Sequence, residues 1–131
     1  MTMAQILVID DEQAVRDSLA KILRREGHEV VTAADGDEGL RVWRERGAAV
    51  VILDIHMPKS DGIETLVQLR ALRPSLPVIV ISGGDQTHTL GLLGDAKLLG
   101  AVRTLAKPVS LSELTAALNH ALGTGDGQAA G

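Results

Sequence analysis

Asp10, Asp11, Asp54, Ser82 and Lys107 are the side chains in this sequence whose types and spacing invite chemistry. Each stands directly after a short apolar run: Gln5–Ile9 before Asp10-Asp11, Val50–Leu53 before Asp54, Pro77–Ile81 before Ser82, and Val102–Ala106 before Lys107. Three carboxylates brought together repel one another and raise a pKa unless a cation neutralises them. The chain has no cysteine, and with hard oxygen ligands on offer Mg2+ is the natural cation. A lysine and a hydroxyl beside it would hold phosphoryl oxygens. A central carboxylate can itself attack phosphorus and form an acyl phosphate. Together these residues suit acceptance of a phosphoryl group, with Asp54 as the acceptor.

They meet only if the strands that carry them end on one edge. The runs named above read as strands; that of Asp54 is apolar without alternation, as in a strand buried on both faces. Val30-Val31 reads as a further strand. Between them lie helical patterns. Ala14, Val15, Leu19, Ile22 and Leu23 recur at helical spacing before a stop at Gly27. Asp35–Arg46 carries Leu40 and Trp43 on one side, and Ile63, Leu66, Val67 and Arg70 mark a helix closed by Pro74. Thr87–Leu99 is a weaker helix, since Gly91 and Gly94 each cost it about 1 kcal/mol. Ser110 and Glu113 match a capping box for a last helix that turns Leu111, Leu114, Leu118 and Ala121 inward. Five strand–helix pairs in alternation predict an α/β fold: one parallel sheet, helices on both faces, right-handed crossovers. Residues 1–122 read as one domain, and the Gly-rich stretch 123–131 as a flexible tail.

Composition narrows the function classes. Apolar residues make up 45% of the 131, which argues against disorder, yet there is no Phe or Tyr and one Trp, so the core must be aliphatic. A net charge of −4 argues against nucleic acid as a partner, because phosphate binding wants clustered positive charge. The longest apolar runs are far too short to span a bilayer, and the first residues show no basic, apolar leader. A cytoplasmic location is expected. His28, His88 and His120 sit in unrelated segments, Met57 reads as packing and Trp43 as core.

The joint pattern Asp10-Asp11, Asp54-x-x-Met57-Pro58-x-x-Asp61-Gly62, Ser82-Gly83 and Lys107-Pro108 resembles the receiver domain of two-component response regulators. The resemblance covers residues 5 to about 121. It implies a flavodoxin-like (βα)5 sheet in order 2-1-3-4-5, with the site at the switch point between strands one and three. It also implies that Asp54 takes a phosphoryl group from a sensor histidine kinase or a histidine phosphotransfer protein. Asp11 and Asp54, with the His56 backbone carbonyl, would bind Mg2+, and Asp10 would act through water. Ser82 and Lys107 would bind the phosphoryl group, with a cis bond before Pro108. Signalling would then pass to a downstream protein target, from a monomer or a weak dimer formed through the fourth helix, fifth strand and fifth helix.

Two positions depart from the family's pattern. Thr104 stands where an aromatic switch residue is usual, and Val109 where Phe often follows Lys-Pro. Two other readings stand beside the receiver. One is a phosphohydrolase of the haloacid-dehalogenase type, which needs a second acid two residues after its nucleophile, where this chain has His56. The other is a degenerate receiver that works as a scaffold without phosphorylation.

Overall fold

A computed structural model of the chain describes residues 4–55, 62–83 and 103–130, with side chains as far as residue 123. Five strands, β1 (Gln5–Ile9), β2 (Glu29–Ala33), β3 (Val50–Asp54), β4 (Val78–Ser82) and β5 (Arg103–Ala106), form one sheet in the order β2-β1-β3-β4-β5. All four pairings are parallel. The helices α1 (Gln13–Arg25), α2 (Gly36–Arg46) and α3 (Gly62–Leu72) and a C-terminal helix (Leu111–Ala130) cover it. The flavodoxin-like α/β fold expected from the sequence is the one observed.

Period-two alternation decides which side chains meet which helix. Ile6, Val8, Val50, Ile52, Ile79, Ile81 and Leu105 point to one face, where Leu19 and Leu23 of α1 and Leu114, Ala117, Leu118 and Ala121 of the C-terminal helix close over them. Leu7, Ile9, Val51, Leu53, Val78 and Val80 point to the other, against Leu40 of α2 and Leu66 and Leu69 of α3. Burying each large aliphatic side chain is worth about 1.5–3 kcal/mol. The central strands β3 and β4 are buried at every position, which is why they read as unbroken apolar runs. Trp43 packs half-buried against the second cluster.

The helix ends follow local chemistry. Asp35 caps α2 by accepting from the Glu38 amide at 2.8 Å, and Glu38 reaches back to the Ala34 amide at 2.6 Å. The box at Ser110 is formed: its hydroxyl accepts from the Glu113 amide at 3.1 Å. Gly27 follows α1 at φ 92, a conformation costly for any residue with a Cβ. At the start of α3, Gly62 lies so close to the Ile55 backbone that a Cβ would strike Ile55 Cα. That contact explains the Asp61-Gly62 signal as close approach rather than turn chemistry alone.

Two boundaries differ from the sequence reading. β2 is longer than Val30-Val31, because Glu29 and Ala33 also pair with β1. The C-terminal helix continues in its backbone to Ala130 instead of ending near Leu122. Glycine weakens a helix by about 1 kcal/mol per residue but does not forbid it, and no proline interrupts this stretch. The predicted helix over Thr87–Leu99 lies outside the described residues, and with it part of the suggested docking face.

Candidate functional site

The carboxyl ends of β1, β3 and β4 and the residue after β5 deliver the site. Parallel strands in register end together: Ile9 pairs with Leu53, Asp54 with Ile81, and Ser82 with Ala106. Asp10, Asp54 and Ser82 follow or close their strands and are buried, at 0%, 1% and 1% exposure. Pairing extends one step past the strands, since the Asp10 amide donates to Ala33 O, Ile55 to Ile81 O and Lys107 to Ser82 O at 2.8–3.1 Å. Backbone hydrogen bonds therefore fix where these side chains begin. The Lys107–Pro108 peptide bond is cis.

One ammonium sits among the acids. Lys107 Nζ lies 2.9 Å from Asp10 Oδ2, 3.0 Å from Glu12 Oε1 and 3.3 Å from Asp54 Oδ2. The contact with Asp10 Oδ2 is an ion pair without the alignment of a hydrogen bond, and that oxygen is fully buried with no other partner among the described residues. Burial of Lys107 by itself pulls its pKa down. The contacts with Asp10 and Glu12 and the charges of Asp54 and Asp10 outweigh that effect, so the ammonium is held above its ordinary value. Lys107 stays charged at any physiological pH.

Carboxylate oxygens of Asp10, Asp11, Glu12 and Asp54 all lie within 4.8 Å of one another. Asp10 and Asp54 are buried, whereas Asp11 and Glu12 are exposed. Hard anionic donors at this density, one of them a buried oxygen facing a single ammonium, fit a hard divalent cation. The acidic loop is pinned: the Glu12 amide donates to Asp10 Oδ1 at 2.9 Å, and Arg16 Nη1 donates to Asp10 O at 2.7 Å.

The structure brings Asp10, Asp11, Asp54 and Lys107 together, with Ser82 at the end of the neighbouring strand. Thr104 is half-buried on β5 opposite Val80, two residues before the pairing partner of Ser82. The His56 carbonyl lies outside the described residues. One participant, Glu12, escaped the sequence reading, and Gly83 has a further part in the site. Glu12 touches the ammonium; the signal was a Glu at the N-cap of α1, where Ser, Thr, Asp or Asn is preferred, making no capping bond. Gly83 admits the lysine stem: a Cβ there would stand 2.8 Å from Lys107 Cδ and 3.0 Å from its Cβ. Beside the ammonium, a cavity of about 520 Å3 opens between α1 and Pro108-Val109, lined in part by Glu12, Val15, Leu19 and Gly83.

Residues 6–119 match the response regulator receiver domain family. The chain is 36% identical over 125 residues to the sensory transduction protein RegX3 of Mycolicibacterium smegmatis, covering 94% of this chain and 52% of that protein. It thus spans about half the length of the curated relatives it matches. Among solved structures, a response regulator receiver domain protein from Clostridium thermocellum superposes with a TM-score of 0.87 at 35% identity, covering 94% of this chain and 97% of that one. NtrX from Brucella abortus superposes at 0.89 and 36% identity, over 97% of this chain and 29% of the other.

Proposed function

The chain belongs to the response regulator receiver domain family, and from that premise we propose that it is a phosphoacceptor in a two-component phosphorelay, with Asp54 as the acceptor. The observation that carries this reading is the setting of Asp54: it ends the central strand, its side chain is 2% exposed, and its Oδ2 lies 3.3 Å from the Lys107 ammonium. The donor is a phosphohistidine on a sensor histidine kinase or a phosphotransfer protein. An Asp54 carboxylate oxygen bonds to phosphorus while the P–N bond to the donor imidazole breaks. The imidazole leaves with the bonding pair and takes up a proton.

This chain's residues divide the remaining work. Asp11 and Asp54, with the His56 carbonyl, would hold Mg2+, and Asp10 would act through water. When bound, the ion neutralises the carboxylates and draws charge from the phosphoryl oxygens. The Ser82 hydroxyl donates to one phosphoryl oxygen and Lys107 pairs with another. The phosphorylated chain acts by contact with a protein target, in the cytoplasm. No helix among the described residues is long and apolar enough to cross a membrane. The family match lends no support to a hydrolase of the haloacid-dehalogenase type or to a scaffold that dispenses with phosphate.

Acetyl phosphate tests the reading. The wild-type chain is expected to acquire an acid-labile phosphoryl group, released by hydroxylamine as an acyl phosphate is, only with Mg2+ present, and Asp54→Asn to acquire none while its circular dichroism is unchanged. Equal labelling of Asp54→Asn would place the nucleophile elsewhere.

A further inference from the structure

Among the described residues, three carboxylates touch the Lys107 ammonium, and the phosphoacceptor reading has work for two of them. Asp10 and Asp54 are buried, set at strand ends, and belong to the cation and phosphoryl site. Glu12 is different in kind. Its side chain is 61% exposed, it stands at the N-cap of α1, and it caps nothing. Yet its Oε1 reaches Nζ at 3.0 Å, across 95 residues of sequence. The Glu12 backbone is held by the amide bond to Asp10 Oδ1 and by the α1 hydrogen bonds that Val15 and Arg16 make to Glu12 O. The carboxylate is therefore presented to the ammonium from a fixed base.

We propose that Glu12 is a positioning residue: its contact holds Lys107 back from the phosphoryl group and so sets how strongly the phosphorylated site is favoured. The proposal rests on the phosphoacceptor reading and deepens it. A phosphoryl group on Asp54 brings about two negative charges and three acceptor oxygens to the position that one carboxylate held. Lys107 must turn toward them, and a ligand shifts such an equilibrium only by its differential affinity for the two arrangements. The Glu12 contact belongs to the arrangement without phosphate. Its loss on phosphorylation subtracts from the pairing that Lys107 gains. Because Glu12 is exposed, the contact is screened and the effect is modest, about two- to five-fold in an equilibrium constant, as for exposed ion pairs generally.

The test uses the whole chain, saturating Mg2+ and beryllofluoride as the phosphoryl probe, with half-saturation read by calorimetry. Glu12→Gln removes the charge; Glu12→Asp keeps it but is one methylene too short to reach Nζ. Both variants are expected to half-saturate at about two- to five-fold lower beryllofluoride than wild type. An unchanged or weakened Glu12→Gln overturns the proposal. So does Glu12→Asp behaving as wild type while Glu12→Gln tightens, since that pattern means a charge acting through space rather than a contact. If the wild-type chain shows no Mg2+-dependent beryllofluoride binding, the phosphoacceptor reading itself falls, and this proposal with it.

Discussion

At the scale of residues, the site depends on one long side chain reaching the right place. Lys107 enters from the end of β5, and its methylenes pass directly over Gly83. A Cβ at residue 83 would crowd both Cδ and Cβ of the lysine, so the stem and not only its flexible tip must move. Small displacements of a charged group in such a site cost rate, up to about a hundredfold for roughly 1 Å. Gly83→Ala is expected to slow phosphorylation from acetyl phosphate several-fold, and Gly83→Val, with its branch at Cβ, far more, with circular dichroism intact in both. Rates equal to wild type in both variants would show that Lys107 has another route to Asp54. Protonation does not complicate the comparison. A lysine whose pKa is raised on folding contributes stability that is fully present below its ordinary value of 10.5 and is lost only as pH climbs through the folded value. Neutral and mildly alkaline assays therefore read geometry and not the charge state of Lys107.

At the scale of elements, the C-terminal helix raises the question of where the domain stops. Among the residues whose side chains are described, Ala121 is the last of this helix that is fully buried, and Leu122 packs on the edge of the core. Residues 123–130 continue the helical backbone but carry Gly123, Gly125 and Gly127, which oppose it locally by about 1 kcal/mol each. We propose that the folding unit ends at residue 122. Deleting residues 124–131 is then expected to change the thermal midpoint by no more than about 2 °C, a shift that corresponds to well under 1 kcal/mol in a domain of this size; a larger fall in a melting scan would show that these turns hold the core. This helix also shows what a sequence can and cannot reveal. Its start was legible because Ser110 and Glu113 sit at capping-box spacing, whereas its end was misplaced because glycine signals a stop only by a small propensity difference. The strands were legible for a stronger reason: β3 and β4 are buried on both faces, so no polar residue interrupts them until Asp54 and Ser82. Strand order is not written in any one run and followed from the family resemblance. Glu12, and the contact of Gly83 with the Lys107 stem, were missed for a common cause. One is an exposed acid at a helix start and the other a glycine after a strand, and both are ordinary until the distance to Lys107 is known.

At the scale of the whole molecule, the site works against the fold that builds it. Among the described residues, Asp10, Asp11, Glu12 and Asp54 bring four carboxylates within 4.8 Å of one another, and the Lys107 ammonium touches three of them, in a chain whose formal net charge is −4. Asp10 and Asp54 are buried, so solvent screens them poorly, and like charges at these separations oppose folding. Stability given up at a functional site in this way is recovered when the ligand binds, because a cation that binds only the folded chain stabilises it by about 2.7 kcal/mol at a hundred times its Kd. MgCl2 is therefore expected to raise the thermal midpoint with the logarithm of its concentration once that exceeds Kd, by on the order of 10 °C for a domain of this size at a hundred times Kd. NaCl at matched ionic strength screens the same repulsion without occupying the site, and is expected to give a smaller rise. Asp54→Asn removes one buried charge while leaving Lys107 its contacts with Asp10 and Glu12. It is expected to melt higher than wild type without Mg2+ and to gain less from it. Scanning calorimetry of the two chains in MgCl2 and NaCl series measures all four curves. If MgCl2 and NaCl give the same rise in the wild-type chain, the cluster is not a cation site and its repulsion is relieved in some other way.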